Sequence, residues 1–196
     1  MAVTPNYSWP VPVNTDYVKD GAEAIKDLGD AIDATVFGLP SGGLTLINTT
    51  TFSAAATVTI DNVFTATYKN YLMVYANNGT SVVFQFRNTT PATVSSGYYG
   101  GGWFTDSNGS NGTYLIQSNT ASLNMGGGIG SWDMTIFSPF EETVTRTTAL
   151  QAQITGTTSV TSSFRNSNQS ASTSMGGIII TGTSMTGQIS IYGLAN

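Results

Sequence analysis

The stretch Val82-Val-Phe-Gln-Phe-Arg87 decides the fold class of this chain. Val82, Phe84 and Phe86 fall on one face of an extended segment, and the polar Gln85 falls on the other. A period of two residues is typical of a β-strand with one buried face. The stretch therefore predicts a strand whose phenylalanines enter a core.

The same period recurs on both sides of this stretch, from residue 44 to the end of the chain. Two further stretches, Tyr71–Tyr75 and Ile178–Ile180, are apolar on both faces and are predicted to be central or interface strands. About eight to ten short antiparallel strands over residues 44–196 predict a mainly β head, a two-sheet antiparallel sandwich of jelly-roll type. The other alternating apolar positions, which are expected to face its core, are Val58, Ile60, Trp132, Met134, Ile136, Leu150, Ala152, Ile154, Ile189 and Ile191.

Residues 15–43 are predicted to form a helix that ends in a Gly/Pro linker. Val18, Ile25 and Ile32 lie seven residues apart, and Leu28 lies three residues after Ile25, as in the apolar seam of a coiled coil. So short a helix is marginal alone in water, and its order requires a partner surface. Self-association through the seam, preferably of three strands, supplies one. The alternative is a single amphipathic helix that packs on the β-head.

Residues 1–14 are predicted to form an extended arm, because a proline holds both its own residue and the preceding one extended. Such an arm has no core in which to bury aromatic side chains. One interpretation is a peptide that docks into a neighbouring protein. The other is a tail that folds back over its own helix. The candidate docking residues are Tyr7, Trp9, Pro10, Val11 and Pro12.

The composition excludes several classes of function. Only 9% of residues are charged, the net charge is −5, and six Lys and Arg are too few to neutralise a phosphate track. The absence of Cys and His excludes disulfides, zinc sites built on those ligands, and His-based catalytic triads. No apolar run approaches the roughly 20 residues that span a bilayer, and the start of the chain lacks a signal-peptide pattern. We therefore expect no cofactor, no nucleic-acid partner, no membrane insertion, and synthesis in the cytoplasm of the producing cell.

Residues 97–104 place four aromatic side chains among glycines. Aromatic rings offer apolar faces on which sugar rings stack, and glycine lets a ligand approach the backbone. This pattern predicts a loop that contacts host glycans. The alternative is that the rings fill the core or a seam between subunits. The candidate residues are Tyr98, Tyr99, Trp103 and Phe104.

Hydrolysis of a glycan requires a pair of carboxyl groups. The head supplies few acids, and the adjacent Glu141 and Glu142 would point to opposite faces of a strand. Asp106 opens a polar segment that loosely matches a calcium loop but lacks the acid expected near its end. We therefore expect a polar turn at Asp106, and neither a metal site nor a catalytic site. The head's acids are Asp61, Asp106, Asp133, Glu141 and Glu142.

Four segments together resemble the minor virion and fibre proteins of tailed bacteriophages. Residues 7–25 resemble their N-terminal anchoring segments, residues 51–64 and 68–75 the start of their β-heads, and residues 187–196 their last strand. The resemblance implies a homotrimer on the virion. Its partners would be other virion proteins of the tail, collar or capsid.

Three functions fit this resemblance. The preferred one is a tail-associated fibre that attaches through its N-terminus and presents β-heads for host-surface contact, with a cell-surface glycan as a target. The second is a trimeric capsid decoration, or cement, protein or a head fibre. The third is a small glycan-cleaving tailspike, which the scarcity of acids disfavours.

Overall fold

A computed structural model describes residues 2–13, 17–38, 43–126, 128–155 and 159–195, with only the backbone at 114–117 and 155. The chain divides into two compact units, Met1–Gly42, the N-terminal unit, and Gly43–Asn196, the head. Residues 14–16 and 39–42, where the sequence predicts the end of the arm, the start of the helix and the linker, lie outside the described residues.

The N-terminal unit consists of a short hairpin and one helix. Strands β1 (Ala2–Val3) and β2 (Pro10–Val11) pair antiparallel. A 3₁₀ turn at Val18–Asp20 leads into helix α1, Gly21–Gly38. The arm thus doubles back on itself, whereas the sequence predicts one extended segment. Residues 4–9 reverse the chain through backbone hydrogen bonds from the Thr4 N–H to the Trp9 carbonyl and from the Ser8 N–H to the Thr4 carbonyl, and this reversal allows β2 to pair with β1.

Within its described residues the head contains ten strands and is mainly β, as predicted. They are β3 (Leu44–Ile60), β4 (Asn70–Asn77), β5 (Thr80–Asn88), β6 (Tyr98–Asp106), β7 (Asn111–Thr120), β8 (Leu123–Gly126), β9 (Ile129–Phe137), β10 (Thr145–Thr155), β11 (Ser159–Gln169) and β12 (Met175–Leu194).

These strands form one continuous antiparallel sheet, in the order β7-β6-β11-β10-β9-β4-β12-β5-β8, with β3 on the other edge of β12. The prediction of two separate sheets is wrong, and a jelly-roll topology is not confirmed. The physical reason is the length of β12, which pairs with β5 along its first half and with β4 along its second. One long strand therefore carries the hydrogen bonding across what would otherwise be the gap between two sheets.

The sheet bends along a line that crosses its longest strands. β3 and β12 have register shifts there, and β4 and β5 follow one another along the same edge of β12. Three residues near this line are left-handed: Ala54 (φ 49°), Ser81 (φ 54°) and Ser184 (φ 50°). Such bulges increase local bending and twist. Gly187 lets the strands approach closely, because a Cβ there would lie 1.9 Å from the Ala76 carbonyl oxygen.

The bend brings two parts of the same sheet together around the core. The Phe86 ring in β5 stacks with the Tyr98 ring in β6 at a centroid distance of 6.4 Å, although six strand pairings separate these strands in the sheet. The predicted inward faces of β3, β5, β9 and the end of β12 are confirmed, and β4 and β12 are central strands as predicted. The confirmed core residues are Val58, Ile60, Val82, Phe84, Phe86, Trp132, Met134, Ile136, Ile189 and Ile191.

Candidate functional site

The four aromatic residues predicted to contact glycan lie in strand β6, not in a loop, and they divide between its two faces. Tyr98 is fully buried, and Phe104 is half-buried on the same face. Tyr99 and Trp103 point to the outer face and are 38% and 56% exposed. Strand alternation imposes this division, which local composition does not show. The core alternative is therefore correct for Tyr98, and only Tyr99 and Trp103 remain as surface candidates.

Tyr98 anchors β6 to the core. Its hydroxyl oxygen accepts a hydrogen bond from the Phe86 backbone N–H at 2.7 Å and donates one to the Val94 carbonyl at 3.0 Å. Burial raises the pKa of Tyr98, and the N–H of Phe86 lowers it by a smaller amount. The phenol therefore stays neutral at physiological pH and fixes the position of the neighbouring exposed ring, Tyr99.

The glycines of β6 serve close strand packing. A Cβ at Gly102 would lie 2.1 Å from the Phe164 carbonyl oxygen of β11. Gly101 faces outward between Tyr99 and Trp103 and pairs with Asn166 of β11. The outer face of β6 therefore carries an aromatic residue, a gap and a second aromatic residue.

Strand β10 reverses the predicted orientation. Leu150 and Ile154 lie on the outer face, 59% and 42% exposed, while Gln151 is buried. The Ser163 hydroxyl donates to the Gln151 side-chain oxygen at 3.0 Å, and the Gln151 amide donates to the Met125 carbonyl at 3.3 Å. These partners satisfy the buried amide, so the polar residue occupies the inside. Ala152, which was also expected inside, is exposed on the outer face together with Leu150 and Ile154.

This reversal leaves an apolar row on the outer face. Leu150 pairs with Phe164, and Phe164 pairs with Trp103, across three adjacent strands. Cross-strand aromatic and aliphatic neighbours of this kind support each other's orientation. The exposed Trp103 ring is therefore part of an ordered surface.

A pocket of about 740 Å³ opens beside this row, on the outer face. Its floor is built from two cross-strand rows. The first runs Phe137–Arg146–Asn168–Tyr99, and the second contains Thr148 and Asn166. Strands lie about 4.8 Å apart, so Phe137 and Tyr99 stand roughly 14 Å from each other. The pocket has aromatic ends with a cation, two amides and a hydroxyl between them.

Sequence reasoning missed most of this pocket. Tyr99 was a candidate, but Arg146 and Thr148 lie more than forty positions further along the chain, and Asn166 and Asn168 lie further still. No local motif connects them. The one available signal was alternation, since polar residues at 146, 148, 166 and 168 occupy even positions of their strands.

The cations of the chain differ in their contacts. Within the head, Arg87 bonds Asp61 at 2.6 Å, Lys69 lies 3.7 Å from Glu141, and Arg165 lies 4.7 Å from the Trp132 ring. In the N-terminal unit, Lys26 pairs with Asp30, whose hydrogen bond raises the lysine pKa, and Lys19 lies over the Tyr17 ring at 5.3 Å. The side chain of Arg146, in contrast, has no hydrogen bond or ion pair with the part of the chain that the structure describes.

No carboxylate is among the described residues that line the pocket. Asp133 lies on the same outer face, but its cross-strand neighbours are Val74 and Leu150. Asp61 is held by Arg87, and Asp106 accepts backbone N–H bonds from Asn108 and Ser110, each at 2.9 Å. Asp106 therefore organises a polar turn. The two-carboxylate arrangement of glycosidases is not present at the pocket.

A second cavity, of about 830 Å³, lies on the core side of the same strands. Met125 and Trp132 form part of its wall. Arg165 packs over the Trp132 ring, and its Nη1 donates to the Asn124 carbonyl of β8. Arg165 therefore links β11 to β8 and has a structural role.

The predicted docking residues of the arm fold onto their own helix. The Trp9 ring nitrogen donates to the Thr35 hydroxyl of α1 at 2.8 Å. Trp9 also stacks on Tyr7 at a centroid distance of 5.1 Å. Pro10 and Val11 are half-buried, whereas Pro12 is exposed. Trp9 therefore follows the second alternative, a tail that folds back, while docking into a neighbouring protein stays a prediction for the arm, in which Tyr7 is 59% exposed.

The predicted trimer seam stays largely uncovered within the N-terminal unit. Val18 is 98% exposed and Ile25 is 67% exposed, while Leu28 and Ile32 are half-buried. Val36 extends the same stripe and is 58% exposed. The helix therefore presents an apolar stripe that its own hairpin does not hide.

Neither a metal site nor a membrane-spanning helix is found in the described residues. No three His, Cys, Asp or Glu side chains come together there, and no helix there is long and apolar enough to cross a bilayer.

The chain matches no protein-family model, no curated protein and no solved structure.

Proposed function

We propose that this protein is a non-enzymatic bacteriophage virion protein, a homotrimeric tail-associated fibre that attaches through its N-terminal unit and presents its β-heads to the host surface. The observation that carries the proposal is the uncovered apolar stripe of residues 18–36, where Val18, in the 3₁₀ turn, and Ile25, in α1, are 98% and 67% exposed. A helix of 18 residues is marginal in water without a packing partner. A second and third copy of the same helix supply that partner.

The residues of the stripe favour a coiled coil of few strands. β-Branched side chains stand at Val18, Ile25 and Ile32, the a positions of a heptad. Burial of each such side chain contributes about 1.5–3 kcal/mol. Acidic residues occupy the other faces of the helix, so residues 1–42 carry six acids and two lysines. This charge keeps those faces in solvent and directs association to the stripe.

The outer pocket of the head supports the host-contact role. Saccharides present apolar ring faces together with many hydroxyls. An exposed Tyr99 ring next to the amides of Asn166 and Asn168 matches both features. The lack of a carboxylate pair at the pocket favours binding without hydrolysis.

Deletion of residues 2–14 tests the attachment role. We expect the shortened protein to remain trimeric but to be absent from purified particles, whereas Tyr99→Ala should enter particles normally because it changes only the head. Immunogold labelling of the head then locates the full-length protein. Labelling over the capsid surface, in hundreds of copies, would replace the tail fibre with a decoration protein. Normal incorporation of the deletion variant would refute attachment through the arm.

The deletion also removes the hydrogen bond from Trp9 to α1 and could disturb the helix itself. A point variant separates the loss of docking from damage to the helix. Tyr7→Ser removes an exposed ring and leaves the bond from Trp9 to Thr35 in place. Reduced incorporation of this variant, with unchanged helix content in circular dichroism, assigns docking to the arm surface itself.

A further inference from the structure

We propose that the outer pocket of the head binds a saccharide that carries an anionic substituent, a carboxylate or a phosphate, and that Arg146 is its counter-ion. The inference rests on the host-contact role proposed above and makes it specific. It concerns the chemical class of the ligand and the residue that selects it.

The Arg146 guanidinium has no partner among the described residues. The chain has only six Lys and Arg, and the other five contact a carboxylate or an aromatic ring. Arg146 lies in the pocket and forms neither a salt bridge nor a cation–π interaction within the described residues. A guanidinium presents a planar fork of donors that matches the two oxygens of a carboxylate or phosphate. The pocket therefore offers an anion site that the chain itself does not fill.

The surroundings of Arg146 supply an aromatic ring and two side-chain amides. It lies between Phe137 and Asn168 in the cross-strand row, and Tyr99 follows Asn168. The side-chain amides of Asn166 and Asn168 form no hydrogen bond with the described residues. Each amide can donate to and accept from sugar hydroxyls. A ring stacked at Tyr99 thus places its hydroxyls near the two amides and an anionic substituent near Arg146.

The head carries little net charge. Its five acids and four cations leave a net charge of −1, while the N-terminal unit carries the remaining −4. No described carboxylate lines the pocket. An anionic saccharide therefore meets little repulsion from the head, and the single cation is enough to distinguish it from a neutral one. Nucleic acid does not fit, because its binding draws on several phosphate contacts and Arg146 is the one cation among the described residues that line the pocket.

Titration calorimetry with the full-length protein tests the proposal. The ligands are tetragalacturonate, which is carboxylated, maltotetraose, which is neutral, and glucose 6-phosphate, which separates phosphate from carboxylate. We expect an anionic ligand to bind and maltotetraose to bind at least about tenfold more weakly, since a hydrogen bond to a charged group contributes roughly a factor of ten or more. The carboxylated and phosphorylated ligands identify the substituent that is recognised.

Three variants locate the effect. Arg146→Gln should lose at least about tenfold in affinity for the anionic ligand, and Arg146→Lys should retain part of it, because the charge remains but the planar fork is lost. Lys26→Gln makes the same change in charge on the exposed face of α1 and should bind as the unaltered protein does. Added salt should weaken the binding of the anionic ligand.

The outcomes separate this inference from the proposed function. Equal binding of maltotetraose and tetragalacturonate, with no effect of Arg146→Gln, overturns the anionic specificity and leaves glycan contact standing. No binding of any of the three ligands overturns the pocket as a saccharide site, while the particle experiment still tests the virion role. Loss of binding in Lys26→Gln as well as Arg146→Gln would assign the effect to net charge and overturn the role of Arg146.

Discussion

The head and the N-terminal unit differ in how far they bury their large apolar side chains. In the head, Phe84, Phe86 and Ile191 are fully buried within one chain. In the N-terminal unit, Val18 is 98% exposed and Phe37 is 91% exposed. The head has long-range strand pairing that encloses a core, whereas one helix and a two-stranded hairpin enclose almost nothing. From this difference we expect the head to fold alone and the helix to need the other copies of the proposed trimer.

The largest expected effect comes from removal of the apolar stripe. Replacement of Ile25, Leu28 and Ile32 by Ser should convert the proposed trimer to monomers at micromolar concentration. In the proposed trimer these side chains are buried between the helices. Loss of one of them per protomer weakens association at least about tenfold, and this variant loses three. Sedimentation velocity measures the trimer fraction. An unchanged fraction would mean that the heads alone drive assembly.

A matched variant on the opposite side of the helix controls for serine itself. Glu23, Asp27 and Ala34 are exposed and lie away from the stripe. Their joint replacement by Ser introduces the same number of hydroxyls and should leave the trimer intact. A loss of trimer here would indicate damage to the helix and not to its seam.

The next largest effect tests the self-sufficiency of the head. Phe84→Ala should lower the free energy of unfolding by about 3–5 kcal/mol, because it removes a fully buried ring and leaves a cavity. Phe37→Ala removes the same ring where it is 91% exposed, and the head should change by no more than about 0.5 kcal/mol. Urea denaturation followed by tryptophan fluorescence gives both values. Equal losses would contradict the contrast between the two units.

A smaller effect is expected at Tyr98. Tyr98→Phe should cost about 1–3 kcal/mol, because the Phe86 N–H loses its acceptor inside the core. Burial raises the pKa of Tyr98 above its unfolded value of about 10. Its contribution is therefore fully present below pH about 10 and is lost as the pH rises toward the folded pKa. Between pH 8 and pH 11, the urea midpoint of unfolding should fall less for Tyr98→Phe than for the unaltered protein.

The sequence allowed the strand faces to be predicted where alternation coincides with apolar character, as in Val82, Phe84 and Phe86. It misled in β10, because Leu150 and Ile154 follow the same pattern but face outward. Their orientation is set by hydrogen bonds that make a buried Gln151 tolerable, and those partners are remote in sequence. The continuous sheet was likewise not predictable, because it depends on one strand, β12, pairing with two others.

The candidate site was predictable only in part. Tyr99 and Trp103 stand out from composition, but strand alternation sends Tyr98 and Phe104 to the other face. Arg146 lies near Tyr99 because β10 pairs with β11 and β11 pairs with β6. This proximity cannot be predicted from the spacing of the two residues along the chain. For the helix, the heptad pattern identified the stripe, while the bond from Trp9 to Thr35 depends on a turn in the arm that the prolines did not reveal.

The solution mass of the full-length protein at micromolar concentration tests the central claim most directly, with circular dichroism on the same sample to confirm helix content. The account predicts three times the 20.5 kDa chain mass. A particle of one chain mass that keeps its helix, with Val18 and Ile25 in water, would contradict it.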